Sequence, residues 1–516
     1  MKKAFVVAFV LLIAVFGVAY FYFTNLAQGT RQTGEALSGI PKNTLLLISF
    51  KNDATFYEIF KNYKPFEALA GKSKTKEVLT LRNALFTKPN IFRIFSDGQI
   101  YASLHPQKES TELLWLITMN EDFKKAEILQ ELSSAGSIIP TKDYYILQLQ
   151  SERKKFYFSV ETGLVIGSFS EELLKASINK NTLKVSENFV AEISRQSLKI
   201  GSSPLDLFVD HAWLPQIAST LFNDKNLPSS GFFKSIKGIS SLSMNFKSDA
   251  IMFNGLSSID TGLNNYLSIF LHQKPETNTL KKIITRNTAI VLNFTISDVK
   301  LFSKDLKLLL HRRKQLKTLE NQLQNIADKT GINAEKDLRK HFGKEFALIQ
   351  LSNLERIVVM KLKNGSEVNF NLQNISTPYS DYIRRMDYSN IFYYFYGDPL
   401  KEFTRPFFSV IDNYLIASNS ALAVKQFYND YVKGDFLIAD STFLNFNQYL
   451  ANQSNILYFA HNKNSHFWRK KYLKKGFYPD REKDAGNLKN FYGISFQLSA
   501  DKDHFFTNFY AGYTTQ

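Results

Sequence analysis

The 516-residue sequence contains no cysteine. That excludes disulfide staples, thiolate-bound zinc, a thiol nucleophile and a lipid-modified cysteine anchor. It does not locate the protein, because a cysteine-free chain suits an oxidising or a reducing compartment equally. Catalytic and ligand-binding signatures are missing as well. There is no HExxH, no CxxC and no DxDxDG loop, the spacings that set side chains around zinc or calcium. The fragment GKSKTK, residues 71–76, lacks the GxxxxGK[ST] frame of a phosphate-cradling loop, and it follows a predicted helix rather than a strand. No GxSxG elbow is present for a serine hydrolase. The expectation is a protein without an enzymatic site, cofactor or metal.

What is present is ordinary globular material. Apolar residues make up 44% and charged residues 22%, enough for several domains with real cores and too apolar for disorder. Aromatics reach 14%, which reads as a Phe-rich core and β-rich sheets, with a sugar-stacking surface as the alternative. The net charge of +17 favours anionic partners such as nucleic acid, anionic lipid or acidic glycan. The alternative is a lysine-rich solvated surface.

The N-terminus carries one long apolar run. Behind Lys2 and Lys3, residues 4–23 hold no charge. At about 1.5 Å per residue they span roughly 30 Å, the thickness of a bilayer's hydrocarbon core. Tyr20 and Tyr22 fall where an interfacial aromatic belt lies. The lysines keep the N-terminus cytoplasmic and send the bulk of the chain to the periplasm or outside. The competing reading is a cleaved signal peptide with Gly17 and Ala19 near the cut. The run continues through YFYF, which favours a retained single-pass anchor. Residues 24–39 are small and polar and read as a tether.

The rest of the chain repeats itself. IPKNTLLLISF, starting at Ile40, is matched by ITRNTAIVLNF, starting at Ile284. FSVETGLVIGSFS, starting at Phe158, aligns without a gap on FSVIDNYLIASNS, starting at Phe408, with six of thirteen residues identical. PLDLFVDH ends at His211 and SNILYFAH ends at His461. Two alternating strands divided by a polar turn close each copy, starting at Gly238 and Gly493. The matches keep their order, with offsets from 244 to 255. This reads as a tandem duplication of a unit of about 225 residues: residues 40–262 and 284–516, joined by a connector at 263–283. Within each copy, helices and strands do not alternate regularly. The expected fold class is therefore α+β, with largely antiparallel sheets and flanking helices. DATFYEIFKNY reads as a helix broken by Pro65 and Gly71. Residues 297–329 read as one long helix capped by Ser297, with an apolar stripe through Phe302, Leu309, Leu316 and Leu323. NIFYYFYG reads as a strand.

The duplication is a control on candidate sites. Asp206, Asp210 and His211 resemble an acid–base or metal cluster, but the counterparts of the two aspartates are Ile456 and Ala460. His211 and His461 recur, which favours structural histidines. Two basic clusters occur only in the second copy. One is Trp468, Arg469, Lys470, Lys471, Tyr472, Lys474 and Lys475; the other is Arg312, Arg313 and Lys314. Cations interleaved with aromatics suit an anionic membrane surface, an acidic glycan or nucleic acid, and a location beyond the membrane disfavours nucleic acid. The alternative is a solvated helix face or loop.

The Pro-Lys-Asn-Thr entry after the anchor, GINAEKDLRKHFGKEFALIQL starting at Gly331, and FSVIDNYLIASNS together resemble a bacterial family of membrane-anchored envelope proteins, a domain of unknown function. The first copy departs from the Gly-Ile-x-x-x-x-Asp-Leu pattern, with TKPNIFRIFSDGQIYASL in its place. The resemblance implies a cell-envelope location and supplies no functional residues. The leading expectation is a non-catalytic envelope protein with a binding, scaffold or assembly role. Its partners would be the bilayer through residues 4–23 and an anionic lipid, acidic glycan or envelope protein. An enzyme on envelope polymers, with a site between the copies, is the second reading.

Overall fold

The computed structural model describes residues 34, 36–52, 63–83, 89–95, 98–107, 111–119, 123–149, 154–197, 203–223, 238–259, 265–474 and 488–514. The expected membrane segment at 4–23, most of DATFYEIFKNY and Lys475 lie outside these residues. Among the described residues no helix is long and apolar enough to cross a membrane. The fold is α+β with large antiparallel sheets, and it divides into two compact units: Met1–Asn62 with Lys74–Val209, and Tyr63–Ser73 with Asp210–Gln516.

The first unit contains β1 (Leu46–Lys51), β2 (Gln99–Pro106), β3 (Thr111–Thr118), β4 (Gly136–Pro140), β5 (Tyr145–Leu149), β6 (Lys155–Glu161), β7 (Leu164–Ser168) and β8 (Asp206–Asp210). Their antiparallel pairings run in the order β8–β1–β2–β3–β7–β6–β5–β4. The recurring stretch from Ile40 supplies β1, whose Leu47 and Phe50 are buried between two neighbouring strands.

The second unit adds β9 (Gly238–Lys247), β10 (Ala250–Ile259), the two-residue β11 (Glu276–Thr277), β12 (Thr288–Thr295), β13 (Phe342–Leu351), β14 (Arg356–Leu362), β15 (Ser376–Pro378), β16 (Arg384–Met386), β17 (Phe407–Ile411), β18 (Tyr414–Ser418), the two-residue β19 (Gln453–Ser454), β20 (Ile456–His461), β21 (Phe491–Asp501) and β22 (His504–Tyr513). Its main sheet runs β9–β10–β22–β21–β20–β12–β13–β14–β18–β17–β16–β15. Both faces of its centre are covered. Phe294, Phe346, Met360 and Leu415 enter one core, and Val291, Ile349, Val359 and Ile416 enter the other. That explains why these strands read as nearly continuous apolar runs rather than alternating ones. Phe294 and Phe346 are cross-strand partners with rings stacked 4.8 Å apart.

Several local expectations are corrected. The long helix is two, Val299–Arg312 and Leu316–Thr330, separated where Lys314 takes a left-handed φ of 59°. The first is capped by Asp298, which accepts from the Lys300 and Leu301 amides, while the Ser297 hydroxyl accepts from Lys274 N. NIFYYFYG forms a helix, Ile391–Tyr396, all six of whose side chains are buried. Burial on every side overrides the aromatic preference for strands. Gly71 does not break its helix, which spans Lys64–Leu81 with Pro65 in the first turn, where proline is tolerated. Ala36 and Leu37, at the end of the expected tether, are core residues. The stretch read as a connector is core as well: Tyr266–His272 is a 3-10 helix whose Tyr266 and Phe270 are fully buried.

Candidate anionic-partner surface

Glu345 on β13 is a heavily engaged carboxylate of the second unit. It is buried and accepts from the Thr279 and Leu280 amides at 3.0 Å, from the Thr279 hydroxyl and from Asn293 Nδ2 at 2.9 Å. With its lone pairs taken by main-chain and side-chain donors, it anchors the segment at 279–280 rather than awaiting a substrate. Lys361 donates to the same Thr279 hydroxyl at 2.9 Å.

The histidines are structural too. His211 follows β8, with Nε2 2.7 Å from the Ser240 hydroxyl. Burial pushes its pKa down to about 4. His105 bridges Ser103 and Asn43, and burial lowers its pKa to about 3. His461 Nδ1 accepts from Asn464 N, and its pKa also falls through burial. Asp210 accepts from Ala212 N, the N-cap of the 3-10 turn at His211–Trp213. Each of these imidazoles makes a hydrogen bond through at least one ring nitrogen, while the buried His211 Nδ1 has no partner among the described residues. Among the described residues, no group of three or more histidines and acids could hold a metal ion.

The structure separates the basic–aromatic residues into two classes. Six of the ten fall on the helix His466–Tyr472 or just beyond it, and four of these, half-buried or buried, are held by contacts within the protein. The Arg469 guanidinium donates to Asn462 O at 2.8 Å and to the Ser465 hydroxyl at 2.5 Å. Trp468 packs its ring on Phe222 at 5.7 Å and on Tyr472 at 5.3 Å. Tyr472 is buried, and its carbonyl accepts from Asn223 N at 2.7 Å. Lys474 donates to Ser219 O at 2.8 Å. Arg313 is withdrawn into an ion pair with Asp398 at 2.5 Å, both side chains mostly buried. These five hold the fold together and are not a free cationic face.

Lys470 and Lys471 remain outward. Both are exposed, and among the described residues neither makes an ion pair. They share a groove of about 430 Å³ with Phe467 and the turn Ser352–Leu354 between β13 and β14. Phe467 is 62% exposed, unusual for a phenylalanine beside two lysines. Leu354 holds a left-handed φ of 73° at the tip of that turn. An apolar side chain in αL is strained, and such strain clusters at functional sites. Arg312 and Lys314 are exposed at the turn between their two helices and are not part of this groove. Sequence reasoning missed Leu354 as a groove residue, because a Leu in a turn carries no periodic signal.

No family model matches the chain, and no curated protein matches it. Among solved structures, crystal form I of TP0453 is 10% identical over 47% of this chain and 87% of that chain, with a TM-score of 0.24. Crystal form III of TP0453 is 9% identical over 47% of this chain and 88% of that chain, with a TM-score of 0.25. A likeness at these scores carries no argument about function.

Proposed function

We propose that the chain is a non-catalytic, single-pass protein of the bacterial cell envelope. Its fold is a tandem duplication, and its second unit engages anionic oxygen groups through Phe467, Lys470 and Lys471. The uncharged run at 4–23 supports the anchor. The duplication is supported by eight strands that pair in corresponding order, β8–β1–β2–β3–β7–β6–β5–β4 against β20–β12–β13–β14–β18–β17–β16–β15. It is also supported by matching hydrogen bonds. Ser168 donates to Leu113 O at 2.7 Å and Ser418 to Arg356 O at 2.6 Å, and Ser170 and Ser420 each cap the helix that follows.

One observation carries the binding reading: two exposed lysines without a carboxylate partner among the described residues, one of them over the Tyr472 ring at 5.2 Å, share one groove with an exposed phenylalanine, while neighbouring cations are tied to the protein by hydrogen bonds. Each lysine near an anionic surface contributes about 1 kcal/mol, and a partly inserted ring adds to that. Changing both lysines to Gln should weaken binding roughly 30-fold at low salt.

The test is flotation of the soluble part of the chain with phosphatidylglycerol vesicles, alongside binding to polygalacturonate. Vesicle binding that falls with salt and with K470Q/K471Q is expected. Binding to the polymer alone would assign an acidic glycan instead, and binding to neither would overturn the surface. The anchor has a separate check: the full chain should stay in membranes through an alkaline wash, and a soluble form beginning near Tyr20 would refute it.

A further inference from the structure

A second groove of about 260 Å³ lies over β10, β21 and β22, and its chemistry differs from that of the lysine groove. Asn254, Asn508, Gln497, Tyr449, Tyr510 and Met252 line it, and no charged side chain contributes to it. That is notable on a chain of net charge +17. Asn254 and Asn508 are register partners across β10 and β22, and Gln497 is the register partner of Asn508 on β21. A row of three carboxamides therefore crosses three neighbouring strands on one face.

Gln497 is spoken for: its amide exchanges hydrogen bonds with Ala451 N and O at 2.9 and 2.8 Å. The Asn254 and Asn508 side chains make no hydrogen bond among the described residues, and both are half-buried. Asn is disfavoured in mid-strand, where Thr or Val would pack better. Two such residues placed opposite each other, Cβ atoms about 5 Å apart, offer four N–H donors and two carbonyl acceptors to one small space. Beside them Tyr449 is 36% exposed, its ring 5.3 Å from that of Tyr510 and lying under the Lys247 ammonium at 3.8 Å, which leaves the ring edge towards the groove. Adjacent donors and acceptors next to aromatic and aliphatic walls match a ligand with vicinal hydroxyls and apolar C–H faces. The volume lies just below the roughly 300 Å³ of drug-sized pockets, which suits one or two pyranose rings.

We propose that this groove is a binding site for a neutral saccharide, with Asn254 and Asn508 as its hydrogen-bonding pair and Tyr449 as its wall. It shares no residue with the lysine groove, so it stands or falls apart from the lipid reading. The experiment uses the full chain in a detergent without a sugar headgroup, probed with N,N′-diacetylchitobiose and cellobiose by saturation-transfer NMR and calorimetry. At least one disaccharide should bind. N254T/N508T keeps β-forming side chains and should raise its Kd about tenfold, the size of one or two net hydrogen bonds. Y449A should weaken binding similarly, and K470Q/K471Q should leave it unchanged. Absence of binding by the parent at about 10 mM, well above a millimolar Kd, would overturn the proposal. So would equal affinity in a folded N254T/N508T variant.

Discussion

Asn254 and Asn508 stand directly opposite each other in the antiparallel ladder of β10 and β22, 254 positions apart in sequence. They mark the midpoint at which two like hairpins meet. One turns at Ser248–Asp249 and the other at Lys502–Asp503. The β9–β10 hairpin belongs to the second compact unit. Without it, β22 is a ten-residue edge strand with open amides and carbonyls. A fragment of residues 210–516 should therefore stay monomeric in solution, whereas 263–516 should aggregate. Light scattering on the two fragments decides it, and equal monodispersity would refute the dependence.

Glu345 fixes the segment at Thr279–Leu280 to β13. Glu345→Ala leaves the buried Leu280 amide, the part-buried Thr279 amide and the Asn293 amide without an acceptor, at a cost of about 3 kcal/mol. Urea unfolding of the second unit should show a lower midpoint with an unchanged slope. A change under about 1 kcal/mol, within the range of ordinary surface substitutions, would mean that the segment holds without this carboxylate.

The sequence made strands legible where local and global signals agree. The strand after Ile40, the strands at 158–168 and 408–418 and the closing hairpins read directly. It failed where tertiary burial reversed local preference. IFYYFY has the composition of a strand but is a helix buried on all sides. HQKPETN reads as a linker, yet it follows a 3-10 helix packed into the larger core. In the candidate surface, composition found the cations but could not tell which turn inward. That depends on carbonyls such as Asn462 O and Ser219 O, which no side-chain pattern encodes.

Arg313 and Asp398 supply a test of that division. Their contact is short and largely buried, and the pairing raises the Arg313 pKa against the effect of burial. Removing one partner of a buried pair strands the other charge, at about 3–5 kcal/mol. Arg313→Gln should thus lower the melting temperature of the second unit by several degrees while leaving vesicle binding at its parental level. K470Q/K471Q should do the reverse. Loss of vesicle binding in a folded R313Q variant would return Arg313 to the surface set.

His211 gives the second unit a defined response to acid. Its Nε2 begins a buried chain of hydrogen bonds through Ser240 and Ser257 to Thr507, with links of 2.7, 2.6 and 2.7 Å. Burial lowers the imidazole pKa from 6.5 to about 4. The unfolded chain therefore binds a proton between these values and the folded chain does not, so stability rises with pH across that window. The contribution is fully present above pH 6.5 and declines as the pH falls towards about 4, by at most about 3 kcal/mol. Two measurements check this. The His211 Cε1 proton shift should stay constant from pH 8 down to about 5, and His211→Gln should flatten the acid limb of the second unit's stability profile. It should also cost about 1–3 kcal/mol at neutral pH from the broken chain. A His211 resonance titrating near 6.5 would show that the imidazole is accessible to protons, and the acid response would then have to come from other groups.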